Sequence, residues 1–217
     1  MTTQASALPR RGGRPSRLAA EQLGEHILDV ATELFLAEGY GATSIEGVAE
    51  RARASKRTIY HRFPNKAALF SAVVHRIIER LRPPATVPLY EGGSAEEILL
   101  RLAKLMLGAA LTPPVLALNR LILSEVHRFP DLAAAVARER AGAEAVAGIA
   151  AVLRREVAAR RMQIDNVEFA AEQFIQIVIA LPQRRALGLG EPLSRERLAT
   201  WAEDAVELFL NGCRGER

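Results

Sequence analysis

Apolar residues recur at three- and four-residue intervals along most of the chain, and no stretch alternates convincingly with a two-residue period. The pattern predicts helices and no strands. Ile27, Ala31, Leu34 and Phe35 mark the stripe of a first helix over 18–38, with Gly39 as its C-terminal cap. Thr43-Ser44-Ile45-Glu46 reads as a capping box, Thr43 at the N-cap and Glu46 three residues on, opening a short helix over 45–52. Arg53 and Ala54 form a turn, and Ser55 caps a third helix over 56–62. After Pro64, Asn65 caps a fourth over 66–81, which stops before Pro83 and Pro84. A Pro- and Gly-rich linker follows over 83–93. Five more helices are expected at 94–111, 114–128, 131–161, 166–187 and 194–211, broken by Pro113-Pro114, by Pro130, near Ile164-Asp165 and over 188–192. The expected fold is all-α, about nine helices.

A chain of 217 residues, 49% hydrophobic, is long enough to bury a real core and suits one domain with a small appendage. Charge changes the picture more. Residues 1–82 carry 13 Lys/Arg and 8 Asp/Glu, a net of +5, whereas 83–217 carry 16 and 17, a net of −1. Between 51 and 78 stand seven basic residues (Arg51, Arg53, Lys56, Arg57, Arg62, Lys66, Arg76) and no acidic one. A solvated surface intersperses both signs, so this run points to a polyanionic partner. Its alternative is a solubilising face. Residues 1–17, with Arg10, Arg11, Arg14 and Arg17 among Gly and Pro, read as a flexible basic arm. One cysteine, Cys213, excludes a disulfide framework and fits a reducing cytoplasm. No apolar run near the N-terminus resembles a signal peptide, and the stretch 105–118 is too short to cross a bilayer, so the expectation is a soluble protein.

Catalysis finds no support in the residues. His26, His61, His75 and His127 fall in no metal-ligand pattern, and a lone cysteine builds no thiolate zinc site. No nucleophile elbow, Walker loop or dinucleotide fingerprint is present. The chain is expected not to be an enzyme, and no cofactor or metal is assigned.

Two short helices joined by a three-residue turn make a helix-turn-helix. Ala49 is small where the helices cross, and Val48, Ala52, Ala54 and Ile59 supply apolar contacts that set the crossing angle. The face left over on the third helix is Lys56, Arg57, Thr58, Tyr60 and His61, groups able to donate to phosphates and base edges. Here the sequence resembles the TetR family of bacterial regulators. The resemblance runs over 18–75, through Ile27-Leu28-Asp29-Val30-Ala31, Leu34-Phe35, Gly39-Tyr40, Thr43-Ser44-Ile45, Val48-Ala49, 55–63 and 65–70. The family pattern often has Gly where Arg53 stands. A positive φ at that turn position would cost an arginine on the order of 1 kcal/mol. A second resemblance, to the AefR-like subgroup, rests on 120–125 and Arg128-Phe129-Pro130-Asp131-Leu132.

The resemblance implies roles residue by residue. Thr43 and Ser44 stand at a helix N-terminus, where a phosphate is favoured. Ser55, Lys56, Arg57, Thr58 and His61 face the DNA, the last four as base-reading candidates. Tyr60 and Lys66 grip phosphates; the lesser alternative for Tyr60 is a core aromatic with its hydroxyl at the surface. Arg14 and its neighbours reach a minor groove, or form a tail without defined contacts. The implied domains are the arm over 1–17, the DNA-binding domain over 18–65, and a ligand-binding and dimerisation domain over 66–217 whose linking helix is 66–82. The apolar segment 169–181 must be covered on every face. Pairing with a second chain through Phe174, Ile177, Val178, Leu181, Leu198, Trp201, Ala205 and Phe209 would cover it; the alternative is an intrachain core. Met106, Leu118, Ile122, Glu125, Phe129, Gln173 and Phe174 are candidates for an effector pocket, or ordinary core and surface. The expected function is a cytoplasmic, homodimeric repressor released from a palindromic operator by a small-molecule effector. The rival readings are a DNA-binding regulator without such an inducer, and a helical ligand carrier.

Overall fold

The computed structural model describes residues 17–84, 86–137 and 141–213. Among these are ten helices and no strand: α1 Arg17–Ala42, α2 Ile45–Arg51, α3 Lys56–Arg62, α4 Lys66–Glu79, α5 Ala95–Ala110, α6 Pro113–Glu125, α7 Pro130–Ala137, α8 Ala141–Ala158, α9 Val167–Ala186 and α10 Arg195–Cys213. Side-chain caps explain most of the starts. Ser55, Asn65 and Asn166 accept the amides of Thr58, Ala68 and Phe169, and Ser94 and Glu97 form a reciprocal capping box. One local expectation is corrected. Ser44 is the N-cap of α2, accepting the Gly47 amide, because Thr43 is turned inward at 2% exposure with its hydroxyl donated to the Gly39 carbonyl. Gly39, non-helical at φ 90° and ψ 168°, ends the main run of α1 as expected, and a short further turn over 40–42 completes the element.

Two hydrophobic cores organise the chain. The first joins α1 to α4 with Leu118 and Leu121 of α6 and Leu132 of α7. Its centre is aromatic: Phe35, Tyr40 and Phe70 pack with ring centroids 5.1 to 5.8 Å apart. Each such ring, fully buried, contributes about 1.5–3 kcal/mol. The second core is built by α5, α8, α9 and α10 around Leu99, Ile149, Leu153 and Phe174. Phe174 meets Phe209 edge to face at 5.1 Å, and the Trp201 indole donates to the Val178 carbonyl at 2.9 Å. The single helix expected over 131–161 is two. Leu132 of α7 is buried beside α4 while Ile149 and Leu153 of α8 lie in the other core, so the segment serves two bodies. Helices α5 and α6 meet at 69°, which carries the chain from the second core back to the first.

Polar contacts fix α1 against α3 and α4. Arg76, only 8% exposed, donates to the Glu25 carbonyl at 2.9 Å and pairs with Asp29. Arg62 donates to the Ala20 carbonyl and lies over Gly24, where a Cβ would fall 2.3 Å from its guanidinium. No single helix among the described residues is long and apolar enough to cross a membrane.

Candidate nucleic-acid interface

The α2–α3 turn is held by its own backbone. The Ala54 amide donates to Ala49 at 2.9 Å and the Arg53 amide to Glu50 at 3.1 Å, which places Arg53 at φ 50°. Val48, Ala49, Ala52 and Ile59 are buried and lock the crossing. That packing leaves Lys56, Arg57, Tyr60 and His61 exposed along α3, with Thr58 half-buried. Ser55 is committed locally: its hydroxyl accepts the Thr58 amide at 3.0 Å and shares a 2.7 Å bond with the Thr58 hydroxyl. Arg57 and His61 make no hydrogen bond or ion pair among the described residues. Tyr60 is 44% exposed, and its hydroxyl donates to Glu46 at 3.0 Å. That bond raises the Tyr60 phenol above its ordinary range. The Glu46 carboxyl is held low by its own backbone amide, by the Tyr60 hydroxyl and by Lys56.

The basic run is divided by the fold. Arg51, Arg53, Lys56, Arg57 and Arg62 are exposed, Arg62 with its guanidinium on the Ala20 carbonyl, whereas Arg76 turns into α1. Lys66 also turns inward, contrary to the phosphate contact expected of it. Its ammonium donates to the Tyr40 carbonyl at 2.8 Å, reaches the Gly41 carbonyl at 3.4 Å and sits 4.5 Å from the Tyr40 ring centre. The cause is its place at the first turn of α4, where the end of α1 passes close by. Ser44 is exposed at the α2 start, while the Thr43 side chain expected beside it is buried. Arg14 lies outside the described residues.

The residues expected to share an effector pocket do not converge. Leu118 belongs to the first core, with Ile122 and Phe129 packed against it; Phe174 belongs to the second, with Met106 packed against it. Gln173 faces solvent. Glu125 is bound to backbone, accepting the Tyr40 amide at 2.9 Å and the Gly41 amide at 2.7 Å. The reason is the division of cores, which puts α6 and α9 in different bodies. The expected pairing face is divided as well. Phe174, Val178, Ala205 and Phe209 are covered within one chain, whereas Ile177, Leu181, Leu198 and Trp201 stay partly exposed. On the same two helices Phe169, at 57%, and Leu208, at 67%, are more exposed. Their signal in the sequence was position: each stands on the polar side of its own helix. The role of Glu125 had no sequence signal, since its partners are backbone groups 84 and 85 residues away.

Comparison with known proteins agrees with this geometry. Residues 27–73 match the family described as bacterial regulatory proteins, tetR family, and residues 97–212 match the AefR-like transcriptional repressor C-terminal domain. A solved structure named Flavonoid-responsive Regulator FrrA is 30% identical with a TM-score of 0.74, over 91% of this chain and 100% of that one. A TetR-family regulator from Mesorhizobium loti is 27% identical with a TM-score of 0.70, over 93% and 100%. An HTH-type transcriptional regulator of Mycobacterium tuberculosis is 36% identical over 106 residues, 49% of each chain, so the chain spans about half the length of that curated relative.

Proposed function

The chain belongs to the TetR family and is a helix-turn-helix, DNA-binding transcriptional regulator, and from that premise we propose that it is a homodimeric repressor which a small-molecule effector releases from a palindromic operator. The observation that carries this reading is the α3 face. Four cationic or hydrogen-bonding side chains, Lys56, Arg57, Tyr60 and His61, stand exposed on a helix whose opposite side is locked by Ile59. Lys56, Arg57, Thr58 and His61 read base edges in the major groove, and Ser44, Ser55 and Tyr60 lie along the phosphates. The repressor sign is supported by the match to the AefR-like repressor domain, and effector response by the likeness to a flavonoid-responsive regulator.

Two recognition helices must lie about 34–36 Å apart to enter successive major grooves on one face. Pairing through the partly exposed apolar residues of α9 and α10 would set that spacing. An effector acts only through differential affinity for the two arrangements, and a tenfold preference supplies about 1.4 kcal/mol. Selection of bound DNA from a random pool tests the reading. A palindrome with half-sites one helical turn apart is expected, and recovery of no shared sequence would overturn it.

A further inference from the structure

Three elements of the first core converge on one short piece of backbone, the Tyr40-Gly41 turn at the end of α1, just before α2. From α6, the two carboxylate oxygens of Glu125 accept the Tyr40 and Gly41 amides, at 2.9 and 2.7 Å. From α4, Lys66 donates to the Tyr40 carbonyl at 2.8 Å and stacks over the rings of Tyr40 and Phe129, at 4.5 and 5.5 Å. From α7, Asp131 accepts the Tyr40 hydroxyl. An anion bound by successive amides and a cation on the carbonyls clasp the turn from both sides.

The local sequence is shaped to this clasp. Gly39 adopts φ 90°, and a Cβ there would fall 2.3 Å from a Glu125 carboxylate oxygen. At Gly41 a Cβ would fall 3.0 Å from the Phe129 ring and 3.2 Å from the other oxygen. The turn leads directly into α2, whose packing on α3 is set by Ala49 and Ile59. A shift of α6 therefore moves the carboxylate against the start of the helix-turn-helix.

We propose that Glu125 is a positioning residue for DNA binding: it touches no DNA, and it holds the angle of the α2–α3 unit on the body, hence the separation of the two recognition helices in the dimer. The inference rests on the operator-binding reading above. Its consequence has a sign that simple charge does not give. Removing a negative charge near a polyanion strengthens binding, whereas loosening the clasp weakens binding to a correctly spaced operator.

The test uses the full-length dimer, the operator selected by the wild-type protein, the same operator with its half-site spacing changed by one base pair, and random DNA. Glu125→Ala is expected to lose about tenfold or more in affinity for the operator, within the usual range of coupling between sites. It should also flatten the preference for the selected spacing, while binding to random DNA is unchanged or tighter. Glu125→Gln, which keeps one acceptor and the same shape, should fall between, and it carries the comparison if the alanine variant does not fold. Operator affinity unchanged or raised, with the spacing preference intact in a folded dimer, would overturn the proposal and leave Glu125 a fold contact. A wild-type protein that selects no sequence would instead defeat the operator-binding reading, before any variant is compared.

Discussion

Arg57 stands on the exposed face of α3 with no hydrogen bond or ion pair among the described residues, so its planar fork is available to a guanine edge. Arg57→Ala is expected to cost about 1–3 kcal/mol on the selected operator, to relax choice at one base position, and to change binding to random DNA little. Titrations on both DNAs check this, and equal losses on the two would remove the base-reading role. Lys66 belongs to a different class of residue, because its ammonium is spent on the α1 carbonyls and the Tyr40 ring. Tyr40, buried in the same cluster, carries a pH signature. Burial and then the Asp131 acceptor push its phenol well above the ordinary value of 10.0. The unfolded chain ionises this group near 10.0 and the folded chain does so only higher, so its contribution is complete below that pH and is lost as pH rises through the folded value. Tyr40→Phe should cost about 1 kcal/mol at neutral pH and show a shallower loss of stability above pH 10 than wild type. Urea melts at neutral and alkaline pH measure both limbs, and parallel alkaline losses would show that Tyr40 is not responsible.

Among the elements, the α1 break and the α2–α3 turn are where backbone conformation meets function. Gly39→Ala places a side chain at φ 90° and against Glu125, and it should destabilise the fold by about 1–3 kcal/mol, read as a fall in melting temperature. At the turn the direction reverses. Arg53 already sits at φ 50°, where a glycine is unstrained. Arg53→Gly should raise the melting temperature by up to about 1 kcal/mol of stability. It should also weaken DNA binding, through the loss of one exposed cation. A lower melting temperature would mean that the guanidinium contributes more than its backbone strain costs. Element starts were legible where one cap former stood alone, as at Ser55 and Asn65. At Thr43-Ser44 two cap formers are adjacent, and burial of Thr43 decided between them. Over 131–161 an alanine-rich run has good helix propensity throughout, and nothing in that propensity marks where the chain passes from one core to the other.

For the whole molecule the decisive feature is the pair of cores. The first couples the DNA-binding helices to α6 and α7, and the second gathers α5 with α8 to α10. Apolar side chains left uncovered on the second body, Phe169 at 57% and Leu208 at 67% exposure, favour the pairing proposed above. Leu208→Glu should leave a folded chain, because that side chain is outside the core, yet shift the mass measured by light scattering towards the monomer and abolish tight operator binding. A dimer of unchanged mass would place the interface elsewhere. An effector should release DNA while the dimer persists, since a change in half-site separation suffices.

Periodicity, caps and prolines determined from the sequence alone that the chain is helical, that a helix-turn-helix lies near its N-terminus, and which side chains α3 presents. Those features are local: a helix start needs a cap within three residues, and the exposed face follows from which positions are apolar. Family resemblance was legible for the same reason, being concentrated in contiguous motifs such as 27–35 and 55–63. Only the tertiary structure decided that Lys66 and Arg76 turn inward and that Arg62 bonds back to α1, while Arg51, Arg53, Lys56 and Arg57 do neither, since a basic residue has one appearance in a sequence whichever neighbour it meets. It alone separated the expected effector residues between two cores and brought Glu125 to the Tyr40-Gly41 amides. Those contacts join residues more than eighty positions apart through backbone groups that every residue type carries, and pattern in the side chains holds no record of them.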